Sequence, residues 1–145
     1  MQVGWTTIEA IAGTKAIDMW LLFPLGIGVN RLLTRDGDIP EQWRHRLNLL
    51  LGTESWYDDF YRVETTTNLF GDDVSRVVKA SIDSIGRYFN NRLRSVFAAV
   101  ADEPLVLRNS RGSPLYLLCF AAGNPNGAQI AVRIAQSQLS RGWKA

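Results

Sequence analysis

Few residues in this sequence combine the types and spacing that catalysis or metal binding requires. The sole histidine, His45, lies within a helical stretch, and the sole cysteine, Cys119, lies in an apolar run. They are far apart in sequence, so the pattern predicts no metal site. We interpret Cys119 as an inert core thiol and His45 as a surface residue. Gly26 and Gly28 follow another apolar run, but without a third glycine they are a weak signal for a phosphate-binding turn.

The strongest candidate for a binding cleft is the turn after the first apolar strand. Ligands of α/β proteins bind beyond the carboxyl ends of strands. This strand ends at Phe23 and Pro24, and Asn30 and Arg31 come shortly afterwards. We therefore treat these four residues as candidates for lining a cleft, with an ordinary structural turn as the alternative.

The basic residues are biased toward arginine. Thirteen of the 16 basic residues are arginine, against 14 acidic residues, which leaves a net charge of +2. Guanidinium groups suit phosphates and carboxylates, so the bias favours an anionic partner. The net charge is small for a domain that mainly binds nucleic acid, and an ordinary solvated surface is the alternative.

Length and composition are those of one globular domain. The chain has 145 residues, of which 46% are hydrophobic and 21% are charged, so we treat residues 1–145 as a single unit. The longest apolar run is interrupted by Pro24 and two glycines and falls short of the roughly 20 residues that cross a bilayer. The first residues lack the layout of a secretory signal, and one cysteine allows no intrachain disulfide. These features predict no membrane segment and a cytoplasmic location.

Apolar patterning predicts an α/β fold with three strands. The run over residues 16–23 indicates a strand buried on both faces. Asp18 lies within that run, and we expect it to make a structural ion pair or hydrogen bond, because an unpaired buried carboxylate is costly. Residues 105–109 and 115–121 flank a short segment with Gly112, which predicts a β-hairpin.

Helical spacing predicts helices between and after these strands. Thr6 and Glu9 have the spacing of a capping box for a helix over residues 7–14. Irregular chain is expected over residues 65–71, followed by the longest helix, from Asp72 or Asp73 to residue 99. The remaining predicted helices cover residues 40–51, a short stretch near 54–61, and residues 126–139 with Ile130, Ile134 and Leu139 facing the core.

The predicted sheet is thin for this number of helices. A strand buried on both faces needs neighbours, yet the other two strands form their own hairpin. A βαβ architecture also normally begins with a strand and its phosphate-binding turn. We therefore expect the second half of a larger α/β fold, with a small self-sufficient α+β domain as the alternative.

Motifs along nearly the whole chain are similar to one protein family. The sequence resembles the C-terminal half of the three-Cys-motif partner protein (TcmP) family, whose full-length members resemble class I methyltransferases. The segments that carry the resemblance are Val3–Ala12, Thr14–Gly26, Val29–Arg31, Trp43–Leu47, Gly52, Trp56, Phe60–Tyr61, Leu118–Ala121 and Asn124–Pro125.

The resemblance implies a Rossmann-like fold that is only half present. The implied sheet is mixed and three-stranded, with residues 115–121 central between 16–23 and 105–109. The glycine-containing turn for S-adenosylmethionine and an Asp-Pro-aromatic-Gly loop would both precede Met1. Trp5 and Thr6 would follow that loop, where an aromatic ring stacks on a flipped base or lies beside the cofactor. A hydrophobic staple at the helix start is the alternative for Trp5.

These similarities lead to two functional expectations. The first is the C-terminal portion of an S-adenosylmethionine-dependent methyltransferase that works with a three-Cys-motif protein and acts on nucleic acid. On this interpretation the chain alone binds no S-adenosylmethionine and is inactive. The second is a non-catalytic module that docks a partner protein or nucleic acid.

Overall fold

Two antiparallel sheets and five α-helices make up residues 3–142, the part of the chain that the computed structural model describes. The strands are β1 (Met19–Phe23), β2 (Tyr61–Thr67), β3 (Asp73–Lys79), β4 (Ala99–Val100), β5 (Leu105–Arg108) and β6 (Pro114–Ala122). The helices are α1 (Trp5–Gly13), α2 (Glu41–Leu51), α3 (Trp56–Phe60), α4 (Ile82–Arg94) and α5 (Ala128–Arg141), with a π-helical turn over Leu25–Asn30. None of these helices has the length and apolarity needed to span a bilayer.

The main sheet is organised around β6. β1 pairs with one edge of β6, and β4 and β5 pair with the other. The prediction that residues 115–121 form the central strand is therefore confirmed. The prediction of a mixed sheet is wrong for the described part of the chain, since every pairing there is antiparallel. Asp18 precedes β1 and is exposed, which corrects its placement within a buried strand, but it does accept a structural hydrogen bond, from the amide of Gly123 at 3.1 Å.

β1 is buried on one face only, which corrects the prediction of burial on both. Met19 and Phe23 face the core, whereas Trp20 and Leu22 are 49% and 52% exposed. The reason is that α5 packs mainly over β6 and β4 on this face, where its alanines join a cluster with Phe120. This alternation is what an antiparallel sheet with one partly solvated face requires.

Aromatic rings connect the inner face of the sheet to the helices. Phe23 stacks on Phe89 of α4 with centroids 3.9 Å apart, and Trp5 of α1 meets Phe89 edge-on at 6.2 Å. The π-helical turn lies directly against β6, because a Cβ on Gly26 would be 1.9 Å from the carbonyl oxygen of Pro114. Gly26 thus permits close packing, which is a structural reason for the glycine.

The segment predicted as irregular chain and the start of the longest helix is a β-hairpin. β2 and β3 pair from Tyr61↔Lys79 to Thr67↔Asp73, and the helix begins only at Ile82, capped by the Ser81 hydroxyl. Three threonines in β2 and three valines in β3 favour extended backbone. We call residues 61–79 the β-arm, because beyond its base it makes few contacts with the rest of the described chain.

Two helix predictions also need correction. α1 begins at Trp5, and its N-cap is Gly4, which has no side chain to cap the helix. The predicted capping box does not form, since Thr6 lies within the helix and Glu9 accepts a hydrogen bond from the Trp5 indole at 2.6 Å. On α5, Ile130 and Ile134 are exposed, while Ala128 and Ala135 face the sheet. Small residues on the inner face let the helix approach the sheet closely.

Candidate functional site

Two adjoining cavities lie at the carboxyl end of β1, where the sequence predicts a cleft. The larger, which we call the arginine cavity, has a volume of about 730 Å³, and the smaller has a volume of about 270 Å³. Both are lined by Val3, Ile27 and Leu50. The arginine cavity is completed by Gly4, Gly28, Arg31, Leu32, Trp43, Arg46 and Leu49.

The π-helical turn and α2 build the walls of the arginine cavity. The turn begins immediately after Pro24, whose carbonyl accepts a hydrogen bond from the amide of Val29 at 2.8 Å. This wide turn brings Ile27 and Arg31 to one wall. α2 supplies Trp43 and Arg46, and this helix ends at Gly52 in the left-handed conformation.

The arginine cavity combines apolar walls with positive charge. Arg31 and Arg46 have no carboxylate within ion-pair distance among residues 3–142. Of the described residues that line the cavity, none is an acid, a histidine, a cysteine or a hydroxyl-bearing residue. The arrangement therefore suits binding of an anionic group attached to an apolar one, and it supplies no nucleophile or general base.

The structure brings three of the six predicted site residues to these cavities. Arg31 lines the arginine cavity, and Phe23 and Pro24 line the smaller one. Asn30 instead faces the base of the β-arm through its backbone carbonyl, which accepts a hydrogen bond from the Lys79 ammonium at 3.0 Å. Thr6 is exposed on α1 and lines neither cavity.

Trp5 is a core residue, which corrects its assignment to a ligand-stacking surface. Its side chain is only 2% exposed. One face of the ring is covered by the Arg92 guanidinium, 4.3 Å from the centroid, and a Cβ on Gly52 would be 2.0 Å from the indole. Because the ring is enclosed in this way, no base or cofactor can stack on it in this structure.

The two residues with the most reactive side-chain types are not part of a site. Burial raises the pKa of Cys119 to about 12, and its side chain is fully enclosed. His45 is exposed on α2. These positions confirm that Cys119 is a core residue and that His45 lies on the surface. Within residues 3–142, no three His, Cys, Asp or Glu side chains converge as metal ligands do.

Sequence reasoning missed Trp43 and Arg46 as site residues. Both belong to a helix that was predicted correctly, and they are three positions apart on it. The available signal was an aromatic and a guanidinium on the same helical face. That signal did not show that this face lies against the turn after β1.

The tip of the β-arm is the most exposed apolar feature of the described chain. Leu69 and Phe70 are 102% and 90% exposed. The turn that carries them is well ordered by Asn68, whose side-chain oxygen accepts hydrogen bonds from the amides of Phe70 and Asp72, both at 2.9 Å. Gly71, with a φ of +82°, completes the turn.

The base of the β-arm is fixed to the chain segment beside the arginine cavity. The Lys79 ammonium donates to the carbonyls of Asn30 and Leu33, and the Tyr61 hydroxyl donates to the carbonyl of Thr34. Burial lowers the pKa of Lys79, and the positive charge of Arg35 lowers it further. These contacts hold the arm in a defined position next to one wall of the cavity.

Comparisons with protein-family models, with curated proteins and with solved structures return no match for this chain.

Proposed function

We propose that this chain is the C-terminal portion of an S-adenosylmethionine-dependent methyltransferase of the three-Cys-motif partner type. On this proposal its arginine cavity holds an anionic part of the substrate, such as a nucleic-acid phosphate. The methyl donor is bound by residues outside this chain. The observation that carries the proposal is the strand order of the main sheet together with the unpaired outer edge of β1.

The strand order supports the proposal. The resemblance implies one strand followed by a hairpin whose last strand inserts antiparallel between the other two. In the structure β6 lies between β1 and β5 and is antiparallel to both, so β1 and β5 run in the same direction. This arrangement agrees with the implied order of these three strands, whereas β4, which pairs with the same edge of β6 as β5, is an addition to the implied three-stranded sheet.

The outer edge of β1 gives independent support. Within residues 3–142, no strand pairs with that edge, and Trp20 and Leu22 are half exposed along the same strand. Natural proteins seldom leave an apolar edge strand open, since it invites aggregation. On the proposal, a parallel strand from the cofactor-binding half pairs with this edge.

The residues that line the arginine cavity do not fit S-adenosylmethionine itself. That cofactor carries a positive sulfonium and ribose hydroxyls of the kind that carboxylates usually hold. The arginine cavity has two guanidiniums, and none of its described lining residues is acidic. The cavity is therefore assigned to the substrate side, and no step through the cofactor is derived from it.

The direct test is titration with S-adenosylmethionine by calorimetry. Residues 1–145 are expected to give no binding heat. The coding sequence immediately upstream of Met1 is expected to encode an in-frame glycine-rich turn and an Asp-Pro-aromatic-Gly loop. A chain extended by that sequence is expected to bind S-adenosylmethionine. Clear binding by residues 1–145, a stop codon in place of the upstream segment, or an extended chain that does not bind would each refute the proposal.

A non-catalytic docking module is a second candidate, and the tip of the β-arm favours it. A well-ordered turn that exposes leucine and phenylalanine is typical of a contact with a protein partner. Asp72 and Asp73 lie beside this tip and repel phosphate, so the arm is assigned to protein and not to nucleic acid. Salt-sensitive binding to duplex DNA that is lost on removing Leu69 and Phe70 would contradict this assignment.

A further inference from the structure

We propose that two copies of this chain exchange their β-arms, so that the tip of each arm enters the arginine cavity of the other copy. The partner copy thereby contributes Leu69 and Phe70 to the cleft at the end of β1. The inference uses only contacts and charges within residues 3–142, and it is an alternative to the assignment of the arginine cavity to a substrate phosphate, because the partner's tip would occupy that cavity and pair with the same two guanidiniums.

The tip is prepared for insertion before any partner binds. Asn68 fixes the turn through two hydrogen bonds to backbone amides, and the amide of Gly71 donates to the Asn68 carbonyl at 3.1 Å. Little backbone freedom is lost when such a turn is bound, which favours association. In the free chain this order leaves Leu69 and Phe70 almost entirely in water, at a cost that burial in a partner removes.

The arginine cavity matches the tip in size and in apolar character. Its volume of about 730 Å³ lies within the range of cavities that hold drug-sized ligands. Ile27 and Leu49 in its walls are 40% and 56% exposed, so the cavity itself leaves apolar surface in water. Two apolar side chains from a partner would cover that surface.

The charges around the tip and the cavity are complementary. Asp72 and Asp73 directly follow the tip in sequence, and both are exposed. Arg31 and Arg46 line the cavity and have no carboxylate partner in the described part of the chain. Carboxylate and guanidinium groups form strong paired hydrogen bonds, and carboxylates beside the tip oppose contact with anionic lipid or nucleic acid. A second copy of this chain supplies both an apolar tip and the carboxylates that pair with these arginines.

The position of the arm relative to the cavity suits a two-fold exchange. Tyr61 and Lys79 lie on the arm face that contacts residues 30–34 at the base. Each strand has seven residues, which places the tip roughly 20 Å from that base. When two arms lie antiparallel along this face, each tip arrives at the base of the other arm. Arg31 and Leu32, in the segment at that base, line the cavity.

The same face of the arm has apolar surface between base and tip. Val63 and Val77 are cross-strand partners on it, 67% and 40% exposed. Beyond them the Thr65 and Ser75 hydroxyls hydrogen-bond to each other at 3.1 Å, so their polar groups are already satisfied. A partner arm on this face would bury the valines, and the Thr65 and Ser75 hydroxyls would remain hydrogen-bonded to each other. The two-fold axis repeats each contact in the other copy.

The first experiment measures the mass of residues 1–145 in solution by sedimentation equilibrium over a range of concentrations. The expected species is a dimer. Leu69→Ser/Phe70→Ser is expected to raise the dimer dissociation constant tenfold or more, about 1.4 kcal/mol or more of lost binding energy. Both residues are exposed, so the variant should keep its fold, which circular dichroism checks. Ile130→Ser/Ile134→Ser on α5 is the matched control, with no expected effect.

A charge exchange tests the specific pairing. Arg31→Glu/Arg46→Glu and Asp72→Arg/Asp73→Arg should each be monomeric alone, because each places like charges at both contacts. An equimolar mixture of the two variants should form a heterodimer, because opposite charges then meet at both contacts. A monomeric wild type, a dimer that the tip variant leaves intact, equal loss in the α5 control, or a mixture that stays monomeric would each overturn the proposal.

Discussion

Replacement of Gly52 by alanine should destabilise the chain through two separate effects. Gly52 ends α2 with a φ of +70°, a conformation that costs an alanine about 1–2 kcal/mol. The added methyl group would also lie 2.0 Å from the Trp5 indole. That ring cannot easily yield, since Glu9, Phe89 and Arg92 hold it on its other sides.

The size of the effect follows from adding the two costs. Overpacking of a buried site costs about 1–3 kcal/mol, so with the backbone strain the free energy of unfolding should fall by about 2–5 kcal/mol. At about 3 °C per kcal/mol for a chain of this length, the melting temperature should fall by roughly 6–15 °C. Urea unfolding followed by circular dichroism measures the change.

Two further glycines separate the contributions. Gly112 has a φ of +82° with nothing within 4 Å of its added Cβ, so Gly112→Ala should show the backbone strain alone. Gly13, at the end of α1, has neither positive φ nor a close neighbour, so Gly13→Ala should cost nothing. A Gly52→Ala variant no less stable than Gly112→Ala would refute the packing of Trp5 over Gly52, and with it the assignment of Trp5 to the core.

Three further predictions concern the core and the turn after β1. The Cys119 thiol should resist an aromatic disulfide reagent at neutral pH until the chain unfolds. Because burial raises the pKa of this thiol from 9.0 to about 12, the free energy of unfolding should fall as the pH rises from 9 toward 12. Cys119→Ala should reduce that dependence on pH. Arg92→Lys should lower the free energy of unfolding in urea by about 1–2 kcal/mol, because the Arg92 guanidinium donates twice to the Leu51 carbonyl and covers Trp5. The control is Arg94→Lys, in an exposed ion pair, which should change this free energy by less than about 0.5 kcal/mol. Gly26→Ala should lower the free energy of unfolding by about 3 kcal/mol or more, because the new Cβ would collide with the Pro114 carbonyl. In the control Gly127→Ala the new Cβ has no neighbour within 4 Å. Equal stability of the two variants would contradict the packing of Gly26 against β6.

The sequence predicted those parts of the fold whose pattern allows one secondary structure. The apolar run over 115–121 follows a glycine turn and was correctly predicted as a strand, and its central place in the sheet, which the family resemblance implied, was also correct. Val74, Val78 and Ile82 are spaced as on a helix, yet the first two belong to β3. Periodicity alone could not distinguish a strand beside a helix from one longer helix.

The candidate site was predictable only in part because it is assembled from distant segments. Arg31 was identifiable, since it follows the end of a strand. Arg46 reaches the same cavity only because α2 packs beside the π-helical turn, and nothing local in the sequence encodes that packing. Trp5 was misjudged for the same reason, because its burial depends on Gly52 and Phe89, which come much later in the chain.

The central position of β6 has a consequence for synthesis on the ribosome. β1 finds its partner about a hundred residues later in the chain, and β5 pairs with that same strand. Until β6 emerges from the exit tunnel, the nascent chain carries β1 with its apolar side chains and no partner strand from residues 3–142. We expect chaperone binding to the growing polypeptide until that point and a sharp release once β6 is complete.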